Sequence, residues 1–534
     1  MAGTKESSRG SRAASCAFMG RLDLLTTAVY PHDDLESDGM EDPPWFALTS
    51  VANVIPVLVG AARLSMHVFR PYVVIGLFVL AGLGIASVYC IAAGAALLAH
   101  LYLFDERFQE SERLSHLPPG LHYSRSARTD AIVAMVPVLR YPHYKGTPWI
   151  IGGDLSTLYP FLAFRLPHVS YARRWLTVDA DDTRKKGGGG GSRLETNNSN
   201  GKNGGGSHDS SDSLDGFTDC GVSSTADGGD GEEDERLEAD ADDKEAVALD
   251  IALPEEGLDP AKPFYLVLHG LTGGSAEPYV LDFVSHTLKR DCGVCVMITR
   301  GCMGTPVRGA NLFHGARVTD VKSTVQALRR SLPEETPLAM VGYSMGGIIA
   351  MNYASITGVD SGVSCCVSMS GSFDVRTNMG SRHSQRVWQP MLTMGLKEHF
   401  VLKNTRKLAG RGLDVSTIER CKNVLHIDTH MVAPFNGYPD VTSYYFDMSA
   451  AAGGKIAGLR TPTLAVSSLD DPIMTADGSP VAELKNIEGL FILLTRNGGH
   501  VGWPTGWLPN RNKWSWMSTT SLDFCEAIVA TADM

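Results

Sequence analysis

The stretch VGYSMGGIIAMNY, from Val341 to Tyr353, constrains this chain more than any other. Inside it Gly342, Ser344 and Gly346 form a G-x-S-x-G pattern. The apolar run PLAMV precedes it and the helix-friendly run GGIIAMNYA follows. Strand, sharp turn and helix in that order expose a serine hydroxyl at the top of a sheet, on strained backbone. Residues without a side chain flank the serine because a Cβ there would strike neighbouring backbone. The competing reading is an ordinary glycine-rich turn, so the rest of the chain is read for the groups that a reactive serine needs.

A serine hydroxyl is a poor nucleophile near neutral pH. It needs a base, and the base needs an orienting carboxylate. On a sheet with such an elbow these follow in the order Ser, Asp, His. TPTLAVSSLDDPIMT supplies Asp470 and Asp471 just after an apolar strand pattern, and FILLTRNGGHVGW supplies His500 just after the next. Asp471 is the expected acid, because Pro472 fixes the turn behind it; Asp470 is the alternative. Gly498 and Gly499 give the backbone before His500 room to turn. An oxyanion also needs two backbone N–H donors. The residue after the nucleophile, Met345, is one candidate, and Leu271 in the loop HGLTGG is the other. His269 is expected to brace that loop by hydrogen bonds.

Around these motifs, apolar strand patterns (FYLVL, CGVCVMITR, PLAMV, GVSCCVSMSG, TPTLAVSS, FILLT) alternate with amphipathic helix patterns (YVLDFVSHTLKR, VTDVKSTVQALRRSL). That alternation predicts a mostly parallel α/β sheet flanked by helices. The order breaks between about 373 and 460, where helical pieces such as QRVWQPMLTMGLKEHF predict a cap inserted into the sheet.

Charge and cysteines exclude several classes. The formal net charge is −12, but eleven acidic and two basic residues lie between Asp227 and Glu245, which leaves the remainder near neutral. No basic field points to nucleic acid. The ten cysteines are scattered and form no disulfide framework. Cys292 and Cys295 make a lone C-x-x-C on a buried strand pattern and read as core residues. No metal or organic cofactor is required by the expected chemistry.

The flanking regions differ in kind. Residues 1–44 read as a disordered tail, and 45–104 as a membrane anchor of one or two spans. The main span lies within 71–104, which contains no Asp, Glu, Lys or Arg and exceeds the roughly 20 residues that cross a bilayer. A span over about 46–69 is weaker, since it contains Arg63. Residues 105–182 read as an N-terminal extension of the hydrolase domain, with YARRWLTVDADD as a strand and turn. Residues 183–245 are Gly-, Ser- and acid-rich and cannot bury a core, so they are expected to be a disordered insertion. The domain resumes over 246–534.

Taken together, HGLTGGSAEPYV, TRGCMGTPV, VGYSMGGIIAMNY, YYFDMSA, TPTLAVSSLDDPIMT and GGHVGW appear in order. In this the chain resembles the membrane-anchored α/β-hydrolase-domain acyl lipases, a group that includes plant embryogenesis-associated hydrolases and bacterial YheT-like esterases. The resemblance covers about 249–530 and, more faintly, 124–182. It implies an α/β-hydrolase fold, Ser344, Asp471 and His500 as nucleophile, acid and base, and an N-terminal membrane anchor. The chain departs from the family at Ser467-Ser468-Leu469, where N-A commonly precedes D-D-P, and at Tyr343 and Met345, where Phe and Leu are frequent. The expected function is hydrolysis of acyl lipid esters such as acylglycerols or phospholipids at a bilayer. The alternatives are an esterase or thioesterase for soluble acyl compounds and a non-catalytic binding module.

Overall fold

A computed structural model describes residues 118–165, 167–178, 245–307, 309 and 311–534. The tail, the apolar stretch 71–104 and the acid-rich insertion up to 244 lie outside the described residues.

Among the described residues nine strands form one sheet. The N-terminal segment supplies β1 (Gly120–Tyr123), helices α1 (Ala127–Met135) and α2 (Gly153–Ala163), and β2 (Ala172–Val178). Then come β3 (Glu245–Ala252), β4 (Phe264–Leu268), α3 (Pro278–Leu288), β5 (Val294–Ile298) and α4 (Thr319–Ser331). The elbow follows as β6 (Leu338–Tyr343) and α5 (Met345–Thr357), and then β7 (Cys365–Met369). A run of short helices, including α6 (Gln389–Leu396) and α7 (Val441–Met448), intervenes before β8 (Thr463–Ser468), β9 (Leu490–Thr495) and α8 (Ser515–Ala530).

The strand order is β1-β9-β8-β7-β6-β4-β5-β3-β2. The six strands from β9 to β5 pair in parallel, and β1, β2 and β3 are antiparallel additions at the two edges. Parallel strands are apolar throughout because helices cover both faces. In β4, Phe264, Leu266 and Leu268 face one core, while Tyr265 and Val267 face the other. The first core takes α4 through Val321, Val325 and Leu328, spaced as one helical face. The second takes α3 through Val280, Phe283 and Val284 and α8 through Leu522, Phe524 and Ile528.

Two sequence readings change. The strand β3 begins at Glu245, which the sequence pattern makes the last residue of the acidic insertion. Glu245 is fully buried, and its carboxylate lies 3.2 Å from the buried Arg300 guanidinium, which also forks onto Asp320 at 2.9 Å through Nε. The N-terminal segment is also more than an extension, since β1 and β2 form both edges of the sheet. The described cysteines, Cys292 and Cys295 among them, are free and buried.

Candidate active site

The elbow explains its own sequence. Ser344 has φ +53°, a left-handed conformation that costs energy for any residue with a Cβ. β6 must turn into α5 within one residue, and the two chains come so close that a Cβ on Gly342 would overlap the carbonyl oxygen of Gly346. A Cβ on Gly346 would overlap the carbonyl of Leu268 in β4. The Ser344 N–H donates to the Met369 carbonyl at 2.8 Å, which ties the turn to β7. Ser344 is thereby held half-buried, with its hydroxyl at the wall of a cavity.

Two further loops reach it, each from the carboxyl end of a strand. The Ser344 hydroxyl lies 2.9 Å from Nε2 of His500, and Nδ1 of His500 lies 2.8 Å from an Asp471 carboxylate oxygen. The second Asp471 oxygen accepts the N–H groups of Ile473 and Met474, both at 2.8 Å. These bonds hold the carboxylate rigidly against the imidazole. Asp470 points elsewhere. It accepts from the Ser468 hydroxyl at 2.6 Å, from the Gly499 N–H at 2.9 Å and from Asn497 at 3.2 Å. It thus braces the loop that carries His500, and burial raises its carboxyl above the usual range. Gly499, at φ +66°, packs against the N-terminus of α2 where a Cβ would meet the Gly153 carbonyl.

The loop after β4 closes the other side. The Leu271 and Met345 residues both line the cavity beside Ser344. Met345 is the first residue of α5, so its N–H has no carbonyl within the helix to bond. His269 sits beneath the loop. Its Nδ1 lies 2.7 Å from the Gly270 carbonyl, and its Nε2 accepts the Thr299 N–H at 3.2 Å. That pattern fixes the neutral tautomer with the proton on Nδ1, and burial lowers the imidazole to about 4. The Gly270 N–H donates to the Tyr279 hydroxyl at 3.0 Å.

The cavity has a volume of about 530 Å³. Its wall is mostly apolar and includes Phe161, Leu162, Phe313, Met391, Leu392 and Met394. α2 and the helices after β7 both contribute. They are joined by buried Asp154, one of whose oxygens lies 2.8 Å from His383 Nε2 and accepts the Trp388 indole N–H at 2.7 Å. Among the described residues, no cluster of three or more His, Cys, Asp or Glu is arranged to hold a metal ion.

The sequence reading missed three polar residues of this site. Thr157 of α2 accepts the His500 N–H at 2.8 Å. Glu277 and Asp428 line the cavity, and burial pushes each carboxyl up to about 7. Glu277 lies in the HGLTGGSAEPYV motif, where a carboxylate just ahead of an apolar helix was the available signal. Thr157 and Asp428 had none.

The α/β hydrolase fold family model matches residues 265–416, which run from β4 through the elbow into the helices after β7. A monoacylglycerol lipase of Saccharomyces cerevisiae is 32% identical over 260 residues, or 47% of this chain and 57% of that protein. The YheT protein of Escherichia coli is 29% identical over 48% of this chain and 77% of its own length. An embryogenesis-associated protein of Picea glauca is 27% identical over 46% of this chain and 54% of its own. In two of these three the match spans little more than half of the relative. The parallel sheet, the serine elbow and these relatives together give the chain an α/β-hydrolase fold and a sequence similar to the YheT-like and embryogenesis-associated proteins.

Proposed function

We propose that this protein is a serine hydrolase that cleaves the carboxylic ester of acyl lipids. The observation that carries the reading is the unbroken line from Asp471 through His500 to Ser344, ending at a largely apolar cavity. His500 takes the Ser344 proton as the hydroxyl attacks the acyl carbonyl. Asp471 holds the imidazole in the required tautomer and stabilises the imidazolium that forms. The oxyanion rests on the N–H groups of Leu271 and Met345, where fixed dipoles are worth most. His500 then gives its proton to the departing alcohol, and water releases the acid by the same steps in reverse.

The apolar wall supports an acyl chain as the group bound there. The yeast relative's name, a monoacylglycerol lipase, agrees with this. On this reading the stretch 71–104 is a membrane anchor; its support is a run of 34 residues without Asp, Glu, Lys or Arg. Among the described residues no helix is long and apolar enough to cross a membrane.

The test is labelling with a fluorophosphonate probe, comparing wild type with Ser344→Ala. Wild type is expected to label and the variant is not. A folded wild-type protein that resists the probe would sink the enzyme reading.

A further inference from the structure

The cavity beside Ser344 carries side-chain charge of one sign. Among the described residues its wall holds two carboxyls, Glu277 and Asp428, and neither lysine nor arginine. Asp428 is satisfied within the protein, since it accepts the Tyr445 hydroxyl at 2.7 Å. Glu277 differs. Among the described residues its carboxyl has no hydrogen-bond or ion-pair partner, and burial alone raises it.

Its position ties it to the reacting serine. Glu277 is the residue immediately before α3, with no side-chain bond to the helix end, and it follows the loop that carries Leu271. Its side chain packs on that loop so closely that a Cβ on Gly273 would lie 2.9 Å from Glu277 Cγ. At the other end of the same loop, a Cβ on Gly270 would lie 3.4 Å from the Cβ of Ser344. The lone carboxyl therefore stands one short loop from the nucleophile, in a space walled mainly by apolar groups. An anion entering that space meets a like charge without an offsetting cation, and both lose water. An alcohol hydroxyl meets an acceptor with unused lone pairs.

We infer that the site takes acyl esters whose alcohol portion is uncharged and hydroxyl-bearing, such as a glycerol monoester, and turns away acyl esters that carry a phosphate beside the ester, with Glu277 setting the discrimination. This deepens the hydrolase reading and rests on it.

The experiment uses the full chain and two chain-matched probes, 1-octanoylglycerol and 1-octanoylglycerol 3-phosphate. Fatty-acid release is followed at a pH of about 8.5, with fluorophosphonate labelling of Ser344 in parallel. Wild type is expected to favour the glycerol ester by at least about tenfold in kcat/KM. Glu277→Gln is expected to narrow that ratio at least threefold, chiefly by lowering KM for the phosphate ester; Glu277→Ala, which relieves any packing strain differently, is expected to do the same. A wild type that favours the phosphate ester, or a ratio unmoved by both variants, overturns the inference while leaving the hydrolase intact. Labelling at Ser344 without turnover of the glycerol ester overturns the substrate class alone. A folded protein that neither labels nor turns over overturns the hydrolase reading as well.

Discussion

The backbone N–H of His500 donates to the hydroxyl of Thr157 at 2.8 Å, across 343 positions of sequence. The Thr157 hydroxyl in turn donates to the Gly153 carbonyl at 2.7 Å. The candidate base is therefore hung from a helix that belongs to the N-terminal segment. Thr157→Val keeps the shape and removes the acceptor. One buried hydrogen bond contributes about 1–1.5 kcal/mol, so kcat is expected to fall about tenfold with KM little changed. Wild-type kcat in Thr157→Val would show that His500 is positioned without it.

The two adjacent acids should separate cleanly. Asp471→Asn leaves the imidazole without its partner and is expected to lower kcat by on the order of 10³–10⁴-fold. Asp470→Asn weakens only the brace on the Gly499 backbone, and a loss below about tenfold is expected. Comparable losses in both variants, in protein of equal thermal stability, would contradict the assignment of Asp471.

Arg300 is fully buried between Glu245 and Asp320. Removing one acid leaves a buried charge short of its partner, which costs about 3–5 kcal/mol. Urea unfolding of Asp320→Ala should show a loss of that size. A loss below about 1 kcal/mol would mean that water or a rearrangement reaches Arg300.

Asp428 gives a pH signature to stability. Its folded-state carboxyl titrates at about 7, against about 3.9 in an unfolded chain. The folded protein thus holds a proton that the unfolded chain has already lost, so Asp428 takes stability away as pH rises from about 4 to about 7. Asp428→Asn keeps an oxygen for the Tyr445 hydroxyl and cannot ionise. Its melting temperature should exceed that of wild type by several degrees at pH 8 and by little at pH 5. An equal difference at both pH values would place the titration elsewhere.

The central sheet was legible because each parallel strand announces itself locally. FYLVL and FILLT are apolar on both faces, and the strands they mark run Phe264–Leu268 and Leu490–Thr495. Of the residues singled out from motifs, Ser344, His500, Leu271 and Met345 line one cavity and Asp471 stands behind His500, because all sit at the carboxyl ends of such strands or on the turns after them. What escaped was non-local. Glu245 closes a run of acids and looks solvated, yet a single buried arginine 55 positions later makes it the first residue of a strand. β1 is four residues of mixed character, and only its pairing with β9 makes it a strand. Thr157 and Asp428 carry no pattern at all, since their environment is assembled by distant elements.

The register of β2 on β3 has one more consequence. The two strands are antiparallel and pair from Val178 with Glu245 to Ala172 with Ile251. The 66 residues of 179–244 therefore leave and re-enter the fold where a hairpin turn would do, and loop closure grows by only about 0.6 kcal/mol for each doubling of length. The backbone need not be continuous there. A polypeptide ending within that connection and a second beginning within it would still share the sheet through β1 on β9 and β2 on β3. Co-expressed halves divided within 179–244 are expected to reconstitute the fold by complementation. Neither half should work alone, because one holds Ser344, Asp471 and His500 while the other holds β1, β2 and the α2 wall of the cavity.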